Sequence, residues 1–362
     1  LLNKKKVVVF ARKDNTLNPG GDSEQIRQIC QWLEKNDCDI VLVSEPNENL
    51  QNFDLAFIFN LTIPFECILP VLWCLKYKIP YVIFPIFWRL DTLSMKHYDT
   101  TDYMSMEFIE KVKFQLKKII RIKDFYNYFN DYIKITKNSK TLIEFVLENA
   151  YMICPDSYAE KEHLREHFNF KNDSILIVYN AIESNLYLKS SPSILKSGIY
   201  CIGGIGPRKN QLTLLKAVES TDLKIHLIGK NNKKDKSYYN KIAKHQNNVI
   251  MEGWKPHSEV IDTLTKAEIY IQPSYIETPG IASMEAFCLG CKTILSDVPP
   301  VREYFSDLVS YISPYDKADI KQSLLKELDR EYNYAQNIEK IEYFNNRFSW
   351  DNVLESLKYI FK

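Results

Sequence analysis

Neither sign of charge is in excess, with 47 Lys and Arg against 46 Asp and Glu in 362 residues. No global basic field exists to attract nucleic acid, and none is expected as a partner. Eight cysteines are present, but their irregular spacing in so long a chain is not a disulfide framework. Cys288-Leu289-Gly290-Cys291 is a lone CxxC without a second pair, so buried thiols are expected there rather than zinc. The pair Asp37 and Asp39 reads as a solvated strand end. None of the six histidines sits in an HExxH pattern. His163 and His167, on a helix among Glu162, Arg165 and Glu166, read as a solvated face. No metal is expected. The apolar run after Lys4-Lys5-Lys6 has only five residues, too short for a signal-peptide core or a membrane span. These absences predict a soluble protein of a reducing, cytoplasmic compartment.

What is present is an ordinary globular composition, 45% hydrophobic and 26% charged, in a chain long enough for two cores. Short apolar runs alternate with helical periodicity: strands at 7–11, 40–43, 55–59 and 81–84, the last three read as buried, with a helix over 65–77. Such crossovers imply a parallel, doubly wound sheet. Further strands fall at 151–154 and 175–178. The polar stretch 188–197 reads as a linker. A second cycle places strands at 199–203, 224–228, 249–252, 268–272 and 292–295, with helices at 211–218, 238–245, 259–266 and 281–289. Ser349 is a good N-cap for a last helix turning Trp350, Val353, Leu354, Leu357 and Phe361 to one side. The fold class is therefore α/β with two Rossmann-like doubly wound domains, an N-terminal one over 1–187 and a C-terminal one over 197–345. Residues 346–362 form a helix returning to the first domain.

One insert interrupts the rhythm, at about 94–148. Its 105–140 portion carries nine basic and four acidic residues among many Phe and Tyr. That composition suits either a peripheral contact with a membrane surface or the solvated face of an inserted helical pair.

The chemistry concentrates in Pro273-Ser274-Tyr275-Ile276-Glu277-Thr278-Pro279-Gly280-Ile281-Ala282-Ser283-Met284-Glu285-Ala286. A buried strand precedes it, a Pro-Gly turn breaks it, and a helix follows. The backbone N–H groups of Gly280 and Ile281 open that helix and form an anion site. Gly280 has no Cβ to hold a phosphate away. An ionised carboxylate accepts from two hydroxyls, so of Glu277 and Glu285 one suits sugar hydroxyls and the other a ribose diol. The loop Gly203-Gly204-Ile205-Gly206-Pro207-Arg208-Lys209 fails as a dinucleotide fingerprint, because Lys209 stands where the third glycine belongs.

Glu277 and Glu285, with seven residues between them, resemble the E-x7-E motif of retaining GT-B glycosyltransferases, in particular the large family 4. The resemblance implies two domains facing across a cleft and a nucleoside-diphosphate-sugar donor held by the C-terminal domain. It implies that Glu277 contacts the donor sugar, Glu285 the ribose, and Lys209 the pyrophosphate, with Arg208 supplying charge where Gly204 replaces the usual Arg. Gly229 and Trp254 match the base-binding region. Gly21, in Asn18-Pro19-Gly20-Gly21-Asp22, matches the N-domain glycine loop. Tyr179-Asn180-Ala181 resembles the hinge. Where many members carry an N-domain His this sequence has none, and Trp88, Arg89 and Asp91 are the acceptor-side candidates. The implied reaction is metal-independent transfer with retention to a hydroxyl of a glycan or lipid-linked glycan, at the inner face of the membrane if 105–140 binds there. Two other readings stay open: an inactive nucleotide-sugar-binding subunit, or another GT-B enzyme such as a sugar-nucleotide 2-epimerase or phosphorylase.

Overall fold

In a computed structural model of the chain, the described residues are 4–12, 15, 20–62, 64–88, 139–191, 193–231, 235–331 and 334–362. Arg89, Asp91 and most of the insert, with nearly all of its basic 105–140 stretch, lie outside them. The chain divides into two compact units, Leu1–Tyr179 with Leu354–Lys362, and Asn180–Val353. The division falls ahead of the polar 188–197 stretch.

In the first unit the apolar runs become strands of a parallel sheet whose inner members, such as the third and fourth, are buried along their length, as parallel sheets require. In chain order they are β1 (Lys5–Phe10), α1 (Gly21–Lys35), β2 (Cys38–Val43), β3 (Leu55–Phe59), α2 (Pro64–Tyr77), β4 (Tyr81–Phe84), α3 (Ser139–Glu148), β5 (Met152–Ile153) and α4 (Tyr158–His167). The sheet is parallel in the order β2-β1-β3-β4-β5. One core packs Val8, Phe10, Ile58 and Ile83 against Leu72 of α2 and Val146 of α3.

Three sequence expectations are corrected here. The run 40–43 was expected to be a buried strand, yet β2 is an edge strand that leaves Val41 and Leu42 exposed. Residues 175–178 form no strand and make only an isolated bridge, Ile153 to Ile175. The neighbouring chain reaches Pro155, which has no N–H to extend the ladder. The C-terminal helix also changes period: an α-turn over Trp350–Leu354 passes into a 3-10 helix over Glu355–Phe361. At three residues per turn, Leu354, Leu357 and Ile360 share one face. All three are buried, so Ile360 takes the place expected of Phe361.

The second unit continues with β6 (Ser197–Ile202), α5 (Gln211–Val218), β7 (Ile225–Ile228), α6 (Lys236–Ile242), β8 (Val249–Gly253), α7 (His257–Lys266), β9 (Ala267–Gln272) and α8 (Ile281–Cys288). It closes with β10 (Lys292–Ser296), α9 (Pro299–Phe305), β11 (Ser310–Ile312), α10 (Lys317–Asp329), α11 (Tyr334–Arg347) and α12 (Trp350–Leu354). Its parallel sheet runs β11-β10-β9-β6-β7-β8. Counted from β6, that is the 3-2-1-4-5-6 order of the doubly wound mononucleotide-binding sheet. Ile199, Leu227, Ile269 and Ile294 pack against Leu214 of α5 and Leu324 of α10. Each unit is a Rossmann-like layered domain. Among the described residues, no helix is long and apolar enough to cross a membrane.

The 3-10 register is testable at the C-terminus. Ile360→Ala should lower stability by about 2–5 kcal/mol, whereas Tyr359→Ala, exposed at 59%, should stay within about 0.5 kcal/mol. Urea melts of both variants check that the face carrying Ile360, and not that carrying Tyr359, is the buried one.

Candidate functional site

In an open parallel sheet, ligands bind beyond the carboxyl ends of the strands where the order reverses. In the second unit that point lies between β6 and β9. The loops leaving these two strands hold the residues singled out from the sequence. The β6 loop carries Gly204, Arg208 and Lys209, and the β9 loop carries Glu277 and Gly280, with Ile281 opening α8.

The two loops are bound to each other. Lys209 Nζ and the Glu277 carboxylate form an ion pair, with Glu277 only 5% exposed. Tyr275 N donates to Arg208 O at 3.0 Å. Asn210 is buried in a left-handed turn, and its Nδ2 donates to Pro273 O at 3.0 Å and to Pro314 O at 2.7 Å. Behind Glu277 runs a buried polar chain. Tyr270 Oη donates to Gln272 Oε1 (3.1 Å), Gln272 Nε2 to Ser274 Oγ (2.7 Å), and Ser274 Oγ to Glu277 Oε2 (2.9 Å). Burial pushes the Glu277 carboxyl up, but the Lys209 and Arg208 charges, with hydrogen bonds from Lys209 and Ser274, outweigh it and hold it below the usual range. Glu277 is therefore ionised at neutral pH. Burial moves the Lys209 ammonium below its ordinary value, against the opposing pull of Glu277.

Gly280 is required twice over at the start of α8. Its φ is +85°, and a Cβ there would meet Glu277 Cδ and Oε1 at 3.1 Å. The first amides of α8 have no partner within the helix, and they open beside this carboxylate. Glu285, one turn further into α8 and buried, receives His257 Nε2 at 2.6 Å from the start of α7. Gly229 backs directly onto the Gly203 carbonyl, which only a residue without Cβ permits. Trp254 follows β8 and is 62% exposed. Asn180 Nδ2 donates to Thr278 O at 3.0 Å, so the segment that opens the second unit also braces the β9 loop.

Residues 196–343 match the family model for glycosyl transferases group 1. An uncharacterized glycosyltransferase of Methanocaldococcus jannaschii is 23% identical, over 58% of this chain and 59% of its own length. The O-antigen chain mannosyltransferase RfbU of Salmonella typhimurium is 23% identical, over 59% and 61%. The chain thus spans about three fifths of the length of these curated relatives. Among solved structures, a sucrose-phosphate synthase of Thermosynechococcus elongatus aligns with 99% of this chain and 98% of its own at a TM-score of 0.71 and 13% identity. The lipopolysaccharide outer core galactosyltransferase WaaB in its apo form aligns with 98% and 99% at a TM-score of 0.59 and 13% identity. The structural likenesses show the two-Rossmann GT-B fold, and the family match falls within its second unit.

The remaining candidates fall in the first unit. Gly21 opens α1, directly after Gly20, whose N–H donates to Ser23 Oγ at 3.1 Å. In the same turn Arg12 Nε pairs with Asp22 at 2.7 Å. These groups line the carboxyl ends of β1 and β3, where Phe10, Arg12, Asn60 and Glu66 surround a cavity of about one water. Trp88 follows β4 and stacks on His163, ring centroids 4.6 Å apart. The buried Glu160 fixes that exit, accepting from Phe87 N and Asp156 N at 2.6 Å each. Sequence reasoning missed His257, Asn210, Ser274, Gln272 and Glu160. Of these, only Asn210 carried a local signal, as an asparagine before a helix suited to a left-handed turn.

The ion pair invites a double-mutant cycle. Lys209→Met leaves the Glu277 charge buried and uncompensated, so it should cost about 3–5 kcal/mol of stability. Lys209→Met/Glu277→Gln should recover much of that loss. Denaturant unfolding of both singles and the double gives the coupling, and purely additive effects would refute a mutual pair.

Proposed function

We propose that the chain transfers a sugar from a nucleoside-diphosphate-sugar to a hydroxyl of a glycan or lipid-linked glycan, with retention and without a metal. The observation that carries this reading is the Lys209–Glu277 pair at the switch point of a mononucleotide-type sheet, beside the glycine-opened start of α8. An anionic diphosphate meets there a lysine, Arg208 and a helix N-terminus, while the carboxylate beside it faces the hydroxyls of the attached sugar. The incoming diphosphate would share Lys209 with Glu277.

When the sugar–phosphate bond breaks, the ring becomes oxocarbenium-like and negative charge grows on the diphosphate. Lys209, Arg208 and the α8 amides stabilise that charge by groups already in place, which costs no reorganisation during the reaction. Glu277 is tied to Lys209 and Ser274 and serves to orient the sugar. Attack on the same face as departure, steered by the leaving phosphate, gives retention without a covalent nucleophile. Glu285, held by His257, takes the ribose diol, and Trp254 with Gly229 flanks the base. The acceptor belongs to the first unit, with Trp88 as its described candidate.

A second reading, donor binding without transfer, draws on Gly204, which stands where the resembled family carries an Arg and where a Cβ would meet nothing nearer than Lys230 O at 4.0 Å. Assays of donor hydrolysis and of transfer separate the two.

Glu285→Ala should weaken nucleoside-diphosphate binding by about 1.5–3 kcal/mol, the worth of a hydrogen bond to a charged group. Glu277→Ala should instead depress turnover while the diphosphate still binds. Calorimetry with the diphosphate, set beside turnover with the sugar donor, distinguishes the roles, and unchanged affinity in Glu285→Ala refutes the ribose assignment. Transfer should also persist in EDTA at full rate. A loss restored by Mn²⁺ or Mg²⁺ would overturn the metal-free mechanism.

A further inference from the structure

The last turn of α4 carries His163, Glu166 and His167, and one ligand atom of each lies within 4.8 Å of the others. Three features suit this cluster to a cation. The first is tautomer control. His167 Nδ1 lies 2.9 Å from the carbonyl oxygen of His163. A carbonyl only accepts, so Nδ1 carries the proton and leaves the Nε2 lone pair for a ligand, and the Glu166 carboxylate lies 4.0 Å from that Nδ1. A backbone carbonyl on the far nitrogen is the usual support of a metal-bound imidazole.

The second feature is ring orientation. The His163 ring stacks on Trp88, with centroids 4.6 Å apart and planes 25° off parallel, and the His167 ring lies 4.2 Å away on centroids. Stacking occupies a ring's faces, whereas coordination uses a lone pair in the ring plane, so the Trp88 contact and a metal bond are compatible. The third is the field. α4 ends at His167, and the carbonyls of a helix C-terminus place negative charge there, which favours a cation.

We propose that His163, Glu166 and His167 form a binding site for a zinc-class divalent ion, separate from the donor loops of the second unit. Two imidazoles and a carboxylate with an open fourth position are a donor set that suits Zn²⁺ and excludes Mg²⁺ and Ca²⁺, which take oxygen ligands. Zinc bonds of 2.0–2.2 Å need donor atoms roughly 3.3 Å apart. To reach that spacing Glu166, whose side chain is 77% exposed, would rotate from the Nδ1 side of His167 toward its Nε2. An occupied site would clamp the end of α4.

The test is calorimetric titration of the metal-stripped full chain with Zn²⁺, and with Co²⁺ read by visible absorption. One equivalent should bind, with the intense d–d bands of a four- or five-coordinate cobalt ion, and excess Mg²⁺ should not compete. His167→Ala should weaken Zn²⁺ binding at least about tenfold, and Glu166→Gln should weaken it too, while His245→Ala should leave it unchanged. Urea melts confirm that each variant is folded. Absence of saturable Zn²⁺ binding, or equal affinity in wild type and folded His167→Ala, overturns the site. Because EDTA is expected to spare transfer, this outcome is independent of the catalytic reading.

Discussion

The ion pair between Lys209 and Glu277 is the constraint around which the second unit's loops are organised. A carboxylate removed from water is costly unless it is paired and hydrogen-bonded, and Glu277 meets both conditions through Lys209 and Ser274. Much of the neighbouring sequence serves this arrangement. Gly280 yields the space that a Cβ would take from the carboxylate. Asn210 turns the β6 loop so that Lys209 points back toward the β9 loop, and it locks that turn to Pro273 and Pro314. The Tyr270–Gln272–Ser274 chain satisfies the polar groups behind the carboxylate. Such a network is rigid because each member would leave another unsatisfied if it moved.

The chemistry gathers on loops rather than strands because of how a parallel sheet is built. Every strand of β10 and β3 type is buried along its length, so polar groups can only emerge at the ends. At the carboxyl ends, loops on either side of the switch point diverge to opposite faces and leave a crevice. The first unit repeats the principle with different residues: Arg12, Asp22 and Asn60 collect at the carboxyl ends of β1 and β3. The cluster of the second unit is bound by a lysine–glutamate pair, and the cluster of the first by an arginine–aspartate pair. In both, a charged pair gathers polar groups at strand ends in a layer that is otherwise apolar.

Position along a helix decides which polar clusters acquire a chemical meaning. At the start of α8 unpaired N–H groups favour an anion, whereas at the end of α4 unpaired carbonyls favour a cation. His257 illustrates a third case. It opens α7, and its imidazole reaches across to Glu285 in α8, so a carboxylate inside one helix is oriented by a residue from another.

Much of this was readable from residue order. Continuous apolar runs bounded by turn residues mark buried parallel strands, and alternation with helical periods marks crossovers, so two doubly wound sheets follow from pattern alone. Pro279-Gly280 after a strand marks a sharp turn into a helix, and Lys209 and Glu277 stand at two strand ends. That the two side chains touch was decided by tertiary structure, because the strand order places β6 beside β9 although their loops are 68 residues apart. Strand order likewise made β2 an edge and exposed Leu42. The change to three residues per turn that buries Ile360 depends on the surface it covers, since 3-10 and α periods differ too little over seven residues to separate by sequence. The partners of Glu285, Thr278 and Phe87 come from His257, Asn180 and Glu160, between 28 and 98 residues away. Local sequence sets the period and the turn chemistry of each element, but a hydrogen bond between distant residues exists only once the packing of those elements has set their distance.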